Sequence, residues 1–285
     1  MTLAYQPGAD PNALGWAPLA PENQAAMHTP PASDRCPWCG SQNALSLHQI
    51  ASWCIRQCAD CAIARIHPFP TPESRPAFYS AEAITLRKER QRRGPGSRAA
   101  AFVRHWLRRW SGRTKGTIFL RELQQRMPPG GAVLDIGCGT GAFLREARHH
   151  YQCTGIEISE HLALEARKLG VEVAVGNFCE FPFGTQRFDA VTMISLIEHL
   201  HTPREALQRC YDLLAEHGLL LLKTVNHGGI NRRLLGAKWS GYRPPDHLVY
   251  FDPKTLRQAL EEIGFRKIEM RAPWFNDSFY CAALK

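Results

Sequence analysis

The sequence predicts an α/β fold built on a mostly parallel sheet, with a small cysteine-bearing module ahead of it. Three observations carry this expectation. From residue 116 onward, strand-length apolar runs alternate with helix-length segments, the pattern of successive βα units. The first run leads into "VLDIGCGTG", residues 133–141, where three glycines on alternate positions join a strand to a helix. Upstream, two Cys-x-x-Cys pairs stand 18 residues apart.

Residues 1–33 are rich in Pro, Ala, Gly and Asn and have no apolar period, so a disordered tail is expected. Residues 34–80 hold the cysteine pairs among short extended runs, and residues 81–115 form a basic, helical linker around the breaker "GPGS". A helix over about 116–127 stops before Pro128 and Pro129. "AVLDI" is the first strand of the main sheet, and residues 141–150 its first helix. "CTGIEI" is the second strand, followed by a helix over 160–169; "VEVAVG" is the third and "FDAVTMI" the fourth. A helix covers 203–215, and Gly218 precedes the fifth strand, "LLLLKTV". Residues 226–251 read as a long irregular stretch. "DPKTLRQALEEIGF" is a capped helix with Gly264 past its end, and two strands follow at 266–271 and 278–284.

The totals exclude several classes. The chain has 285 residues, 44% of them apolar, enough for a real core. No run approaches the roughly 20 apolar residues that span a bilayer. The N-terminal stretch has neither a basic start nor an apolar h-region, so a secretory signal is not expected and the cytoplasm is the default location. Ten cysteines in such a chain point to metal ligands or buried thiols. The net charge of +9 is local: residues 87–115 hold eleven Lys or Arg against one acid, Glu89.

Gly137, Gly139 and Gly141 bring bare backbone close to a ligand. With Ala142 they even satisfy the dinucleotide form G-x-G-x-x-A. Glu157, 22 residues beyond Asp135, ends the second strand, where a carboxylate can hold two ribose hydroxyls. Asp135 separates the candidate ligands. A carboxylate at the mouth of the site repels a pyrophosphate, at a cost of about a few kcal/mol in a poorly hydrated cleft. S-adenosylmethionine has no phosphate and carries an ammonium and a sulfonium, so the same carboxylate suits it.

"VLDIGCGTG", "GIEIS", "FDAVTMISLIEHLHTP", "LLLLKTVN" and "PPDHLVYFDPKTLRQALEEIGF" resemble, in order and spacing, class I S-adenosylmethionine-dependent methyltransferases over residues 116–285. The resemblance implies a Rossmann-like seven-stranded sheet with the last strand antiparallel. It places Asp135, Gly137, Cys138, Gly139 and Gly141 against the methionine part of S-adenosylmethionine and Glu157 on the ribose. Asn177 and Phe178 fall where the family has an acid near the adenine amino group. Asn177 departs from that pattern, though its oxygen can still accept and Phe178 can pack on the ring. Ile194 and Ser195 end the fourth strand, beside the methyl group in such folds.

Methyl transfer from a sulfonium mainly needs an in-line nucleophile and a dry site, with a general base where the nucleophile starts protonated. His199, just after the fourth strand, and His247, in "PPDHLVYF", are the candidate bases or substrate orienters; for each, a structural histidine bonded to backbone competes. No Asn/Asp-Pro-Pro-Tyr/Phe follows the fourth strand, and no cysteine stands there for covalent attack on a cytosine ring. "NRRLLGAKWSGYRPPDH" offers Trp239, Tyr242, Arg232, Arg233 and Arg243 as a lid over a polar or anionic acceptor, or else is a surface loop.

Cys36, Cys39, Cys58 and Cys61 have the spacing of a zinc ribbon. Four thiolates on two knuckles close a tetrahedron, the mark of structural Zn2+. Such a short module depends on its metal to fold. Some bacterial methyltransferases of this type begin with a similar ribbon and act in glycan, lipid or secondary-metabolite tailoring. In the basic segment, Phe102, Val103, Trp106, Leu107 and Trp110 share one helical face. Three uses compete: packing on the main domain, lying on an anionic membrane surface, or binding RNA phosphates. The expected function is O- or N-methylation of a small molecule, glycan or lipid-linked acceptor. The alternatives are an RNA methyltransferase and a non-catalytic cofactor-binding module.

Overall fold

The computed structural model describes residues 34–69, 115–274 and 276–285. The expected tail and nearly all of the basic linker, including its amphipathic face, lie outside those residues.

The cysteine module is a small antiparallel sheet of β1 (Ala44–Ile50), β2 (Trp53–Cys58) and β3 (Ala64–His67). It is not free-standing. β3 pairs with β9 (Val249–Tyr250), a two-residue strand from the stretch expected to be irregular, which makes a four-stranded sheet in the order β1-β2-β3-β9. Trp53, Ile55 and Ile66 of the module share one core with Tyr250 and Phe251. Asp34 ties the module's strands together through ion pairs to Arg56 at 2.7 Å and to the buried Arg65 at 3.0 Å.

The main sheet has seven strands in the order β10-β11-β8-β7-β4-β5-β6. These are β4 (Ala132–Ile136), β5 (Gln152–Glu157), β6 (Glu172–Val175), β7 (Phe188–Ile194), β8 (Leu214–Val225), β10 (Arg266–Arg271) and β11 (Ser278–Leu284). β4, β5, β6, β7 and β8 pair in parallel, and β11 runs antiparallel to both neighbours. This is the seven-stranded Rossmann-like sheet that the resemblance implies, with the last strand antiparallel. β4 and β7 are almost continuously buried, as strands covered on both faces must be. The chain departs in opposite directions from β4, so the cleft beyond the carboxyl ends of β4 and β7 lies at a topological switch point.

The helices are α1 (Lys115–Gln124), α2 (Leu144–Ala147), α3 (Glu160–Arg167), α4 (Pro203–Leu213), α5 (Ile230–Leu235) and α6 (Pro253–Ile263). α6 has the expected ends. Asp252 accepts from the Thr255 amide at 2.7 Å, the Thr255 hydroxyl accepts from the Asp252 amide at 2.9 Å, and Gly264 takes φ +116°. Besides α5 and β9, which form within the stretch expected to be irregular, two elements differ from expectation. The helix over 141–150 shrinks to α2, because Gly139 and Gly141 hold positive φ and keep the turn open. The helix over 203–215 stops at Leu213, because the chain is already extended at Leu214 and enters β8 there.

Candidate active site

The first cleft, of about 240 Å3, is walled by the glycine turn, the ends of β5 and β6 and the segment after β7. Gly137 (φ +67°) and Gly139 (φ +55°) hold the turn in left-handed backbone. A Cβ at Gly139 would stand in open space, whereas one at Gly137 would meet the Leu196 side chain at 3.0 Å. Gly141 serves packing: a Cβ there would strike Leu169 Cδ1 at 2.6 Å. Glu157, Asn177, Phe178 and Ser195 line the cleft as expected.

Four other expected residues are set back from its wall. Asp135, expected at the mouth, is 3% exposed and buried beneath the turn. Its Oδ1 accepts from the Thr192 hydroxyl at 2.6 Å. Burial lifts the carboxyl to about 7 despite that hydrogen bond, and Glu157 adds to the rise. The Cys138 thiol is buried against Gly155, which has no side chain to displace it. Gly141 faces α3, and Ile194 is half-buried in the strand end.

Glu157 is fixed by the turn itself: it accepts from the Gly139 amide at 2.9 Å and the Ser159 amide at 3.0 Å. Asn177 accepts from the Cys179 amide at 3.2 Å and donates to Glu180 at 2.6 Å, so its amide is already oriented within the loop. Phe178 packs on Phe183, with the Arg209 guanidinium 5.8 Å from its ring.

Ser195 and His199 also line a second, wider cavity of about 820 Å3. Ser195 stands at φ +57°, uncommon for a residue with a side chain, and its hydroxyl accepts from the Lys223 ammonium at 2.9 Å. Glu198, His247, Arg243 and Arg145 contribute to the same wide cavity.

Both expected histidines are there, brought together across 48 residues of chain with ring centroids 4.8 Å apart. His199 Nδ1 donates to the Asp246 carbonyl at 2.7 Å and lies 3.1 Å from the Asp246 carboxylate. Burial opposes a charge on His199, but Asp246 outweighs it and raises the imidazole above its ordinary range. His247 Nδ1 donates to the Gly241 carbonyl at 2.8 Å; burial, and then the neighbouring His199, hold it well below that range. Glu198 is 1% exposed and accepts from the Thr224 hydroxyl at 2.7 Å.

The expected lid is corrected in part. Trp239 and Tyr242 are core residues, 1% and 2% exposed, and do not reach into the cavity. Trp239 donates to Asp277 at 2.8 Å, and the Tyr242 hydroxyl sits 2.9 Å from His227 Nε2. Arg243 alone of the five named lid residues lines the cavity. Sequence reasoning missed Thr192, Lys223, Asp246 and Asp277. Only Lys223 had a signal, a lone cation ending an apolar strand.

The four cysteines of the module converge. Cys36 and Cys61 sulfurs are 3.5 Å apart, as are those of Cys39 and Cys58, and all four lie within 4.8 Å of one another. A zinc ion with bonds of about 2.3 Å has sulfur–sulfur edges of about 3.8 Å, so the cluster has the size for one. Cys54 points elsewhere, toward the Ile55 carbonyl.

A family model described as a methyltransferase domain matches residues 103–270. The chain is 29% identical over 168 residues to a ubiquinone biosynthesis O-methyltransferase of Coxiella burnetii, covering 54% of this chain and 71% of that one. It is 34% identical over 148 residues to a probable tRNA methyltransferase 9B of Bos taurus, covering 51% of this chain but 31% of that protein. Among solved structures, a SAM-dependent methyltransferase from Archaeoglobus fulgidus superposes with a TM-score of 0.50 at 18% identity, covering 64% of this chain and 99% of that one. No helix among the described residues is long and apolar enough to cross a membrane.

Proposed function

The chain belongs to the methyltransferase-domain family and is an S-adenosylmethionine-dependent methyltransferase, and from that premise we propose that it methylates an oxygen or nitrogen of a small-molecule, glycan or lipid-linked acceptor. The observation that carries this reading is the shared wall: Ser195 and His199 face both the glycine-turn cleft and the wide cavity. Donor and acceptor entering from opposite sides would meet there.

The narrow cleft fits the donor. Open space over Gly139 accepts the methionine part close to backbone. Glu157, already fixed by two amides, keeps lone pairs for the ribose hydroxyls. Phe178 gives the adenine an apolar wall, and Asn177 lies beside it. S-adenosylmethionine supplies a methyl group on a sulfonium that needs no further activation.

The protein's own work is then to place the acceptor in line, exclude water and remove a proton. We assign His199 and His247 to this work, as base or as orienters of the acceptor. Lys223, Arg243 and Arg145 share the wide cavity with Glu146, Glu198 and Asp277, so its lining suits a polar acceptor. Similarity to an O-methyltransferase favours oxygen. Cys36, Cys39, Cys58 and Cys61 would hold a structural Zn2+, in a ribbon module over residues 34–80. A second reading, an RNA acceptor, is favoured by the similarity to the tRNA methyltransferase and by the basic run at 87–115.

Transfer of labelled methyl from S-adenosylmethionine to small-molecule, lipid and RNA extracts separates these readings. Label in the organic-soluble or glycan fraction that survives ribonuclease is expected. Label confined to ribonuclease-sensitive material would establish the RNA reading instead.

A further inference from the structure

We propose that Glu198, His199 and His247 bind a divalent transition-metal cation at the acceptor side of the site, and that the acceptor is a hydroxyl which ligates it. The proposal rests on the methyltransferase reading above and deepens it by naming the acceptor class.

The ligand set is assembled by the fold. Glu198 and His199 sit on the short 3-10 turn Ile197–His199 after β7, and His247 comes from the segment ahead of β9. The Leu248 amide donates to the Glu198 carbonyl at 2.7 Å and pins the two segments together. One ligand atom from each of the three residues lies within 4.8 Å of the others. All three residues line the wide cavity.

The imidazoles are set in a ligating tautomer. A carbonyl oxygen only accepts, so the bonds to Asp246 and Gly241 place a proton on Nδ1 of both rings. In the neutral ring the lone pair then belongs to Nε2. This is the arrangement metal-bound histidines use, with the second nitrogen donating to a backbone carbonyl or carboxylate. Glu198 brings a carboxylate that is 1% exposed, and the Thr224 hydroxyl orients it.

Two imidazoles and one carboxylate suit Mn2+, Fe2+, Co2+ or Zn2+ and leave coordination positions open. A hydroxyl bound there loses its proton more readily, as metal-bound water does. The proton passes to solvent. The acceptor oxygen then forms a bond to the methyl carbon as the carbon–sulfur bond breaks, with that electron pair staying on sulfur as S-adenosylhomocysteine. An acceptor with a second oxygen next to the hydroxyl fits best, because it fills two open positions.

Mn2+ is the probe of choice, since thiolates bind it poorly and the cysteine cluster competes little. Titration of the full chain, followed by electron paramagnetic resonance of the free ion, is expected to show one saturable Mn2+ per chain. Glu198→Gln, which keeps an oxygen for Thr224, and His247→Gln are each expected to weaken binding by about tenfold or more. Calorimetry with S-adenosylmethionine runs in parallel. Retained cofactor binding in the variants shows that they are folded, and supports a local loss of the cation. Absence of saturable Mn2+ binding by the unaltered chain overturns the proposal, as does affinity kept within about twofold by both variants. Mn2+ bound normally by a chain that binds no S-adenosylmethionine supports the cation site while counting against the methyl-transfer reading, so the two failures are distinct.

Discussion

Asp135 is an acid whose charge the fold alone disfavours. Its carboxyl, ordinarily near 3.8, is lifted to about 7 by burial, so the cofactor-free protein holds a proton there that the unfolded chain has released. Stability from this group is therefore full below about pH 4 and is lost as pH rises through about 7, a change of about 4 kcal/mol. A bound sulfonium and ammonium reverse the preference and favour the anion. S-adenosylmethionine affinity is expected to rise about tenfold from pH 6 to pH 7 to 8 and then level off, with proton uptake by the buffer on binding at pH 6. Calorimetry in two buffers of different ionisation enthalpy measures both. Asp135→Asn, which can still accept from Thr192, should abolish the pH dependence. A flat profile in the unaltered chain would show that the buried carboxylate does not sense the cofactor. The sequence marked Asp135 as the acid at the strand end, but not its depth, because burial and the bond from Thr192 on the neighbouring strand arise only once the sheet assembles.

At the scale of elements, the glycine turn divides its labour in a way that spacing alone does not reveal. Gly139 opens on the cleft and Gly141 on α3, although both look the same in "GCGTG". Gly141→Ala adds a methyl at 2.6 Å from Leu169 in left-handed backbone and is expected to cost about 2–4 kcal/mol of stability, read by denaturant unfolding. Gly139→Ala meets no neighbour and should cost only about 1 kcal/mol, yet weaken S-adenosylmethionine by about tenfold or more, because its methyl enters the cleft proposed for the donor. Equal effects of the two substitutions on affinity would refute the division. The regular elements were legible for a physical reason: β4, β5, β7, β8 and α6 each carry their own period or caps. β9 was not. Two residues have no period, and its partner β3 lies more than 180 positions away in the chain. The histidine pair was legible as two motifs but not as one site, since Asp246 orients His199 only after the two segments meet.

At the scale of the whole molecule, the cysteine module is hydrogen-bonded to the histidine-bearing wall of the wide cavity. The Ile66 amide donates to the Leu248 carbonyl at 3.0 Å, and the Leu248 amide donates onward to the Glu198 carbonyl at 2.7 Å. A hydrogen-bonded path thus runs from β3 through the residue next to His247 to the turn that holds Glu198 and His199. Trp38 strengthens the join, donating to Glu262 on α6 at 3.1 Å and packing edge-on against Phe251. The module's buried residues, Trp53, Ile55 and Ile66 among them, belong to this shared core, and a metal on the four cysteines would add to the module's stability. Cys58→Ser removes one of the four converging thiols, 2% exposed, and on the proposed zinc reading is expected to reduce zinc below one ion per chain. Hydrogen exchange should then lose protection first at Ile66 and Leu248, while β4 and β5 keep theirs. The separation matters, because general unfolding would release all of these amides together. Preserved protection at Leu248 in a zinc-free variant would mean that the main domain holds the histidine segment unaided. Selective loss would mean that this methyltransferase keeps its acceptor-side residues in place through a metal bound outside the site.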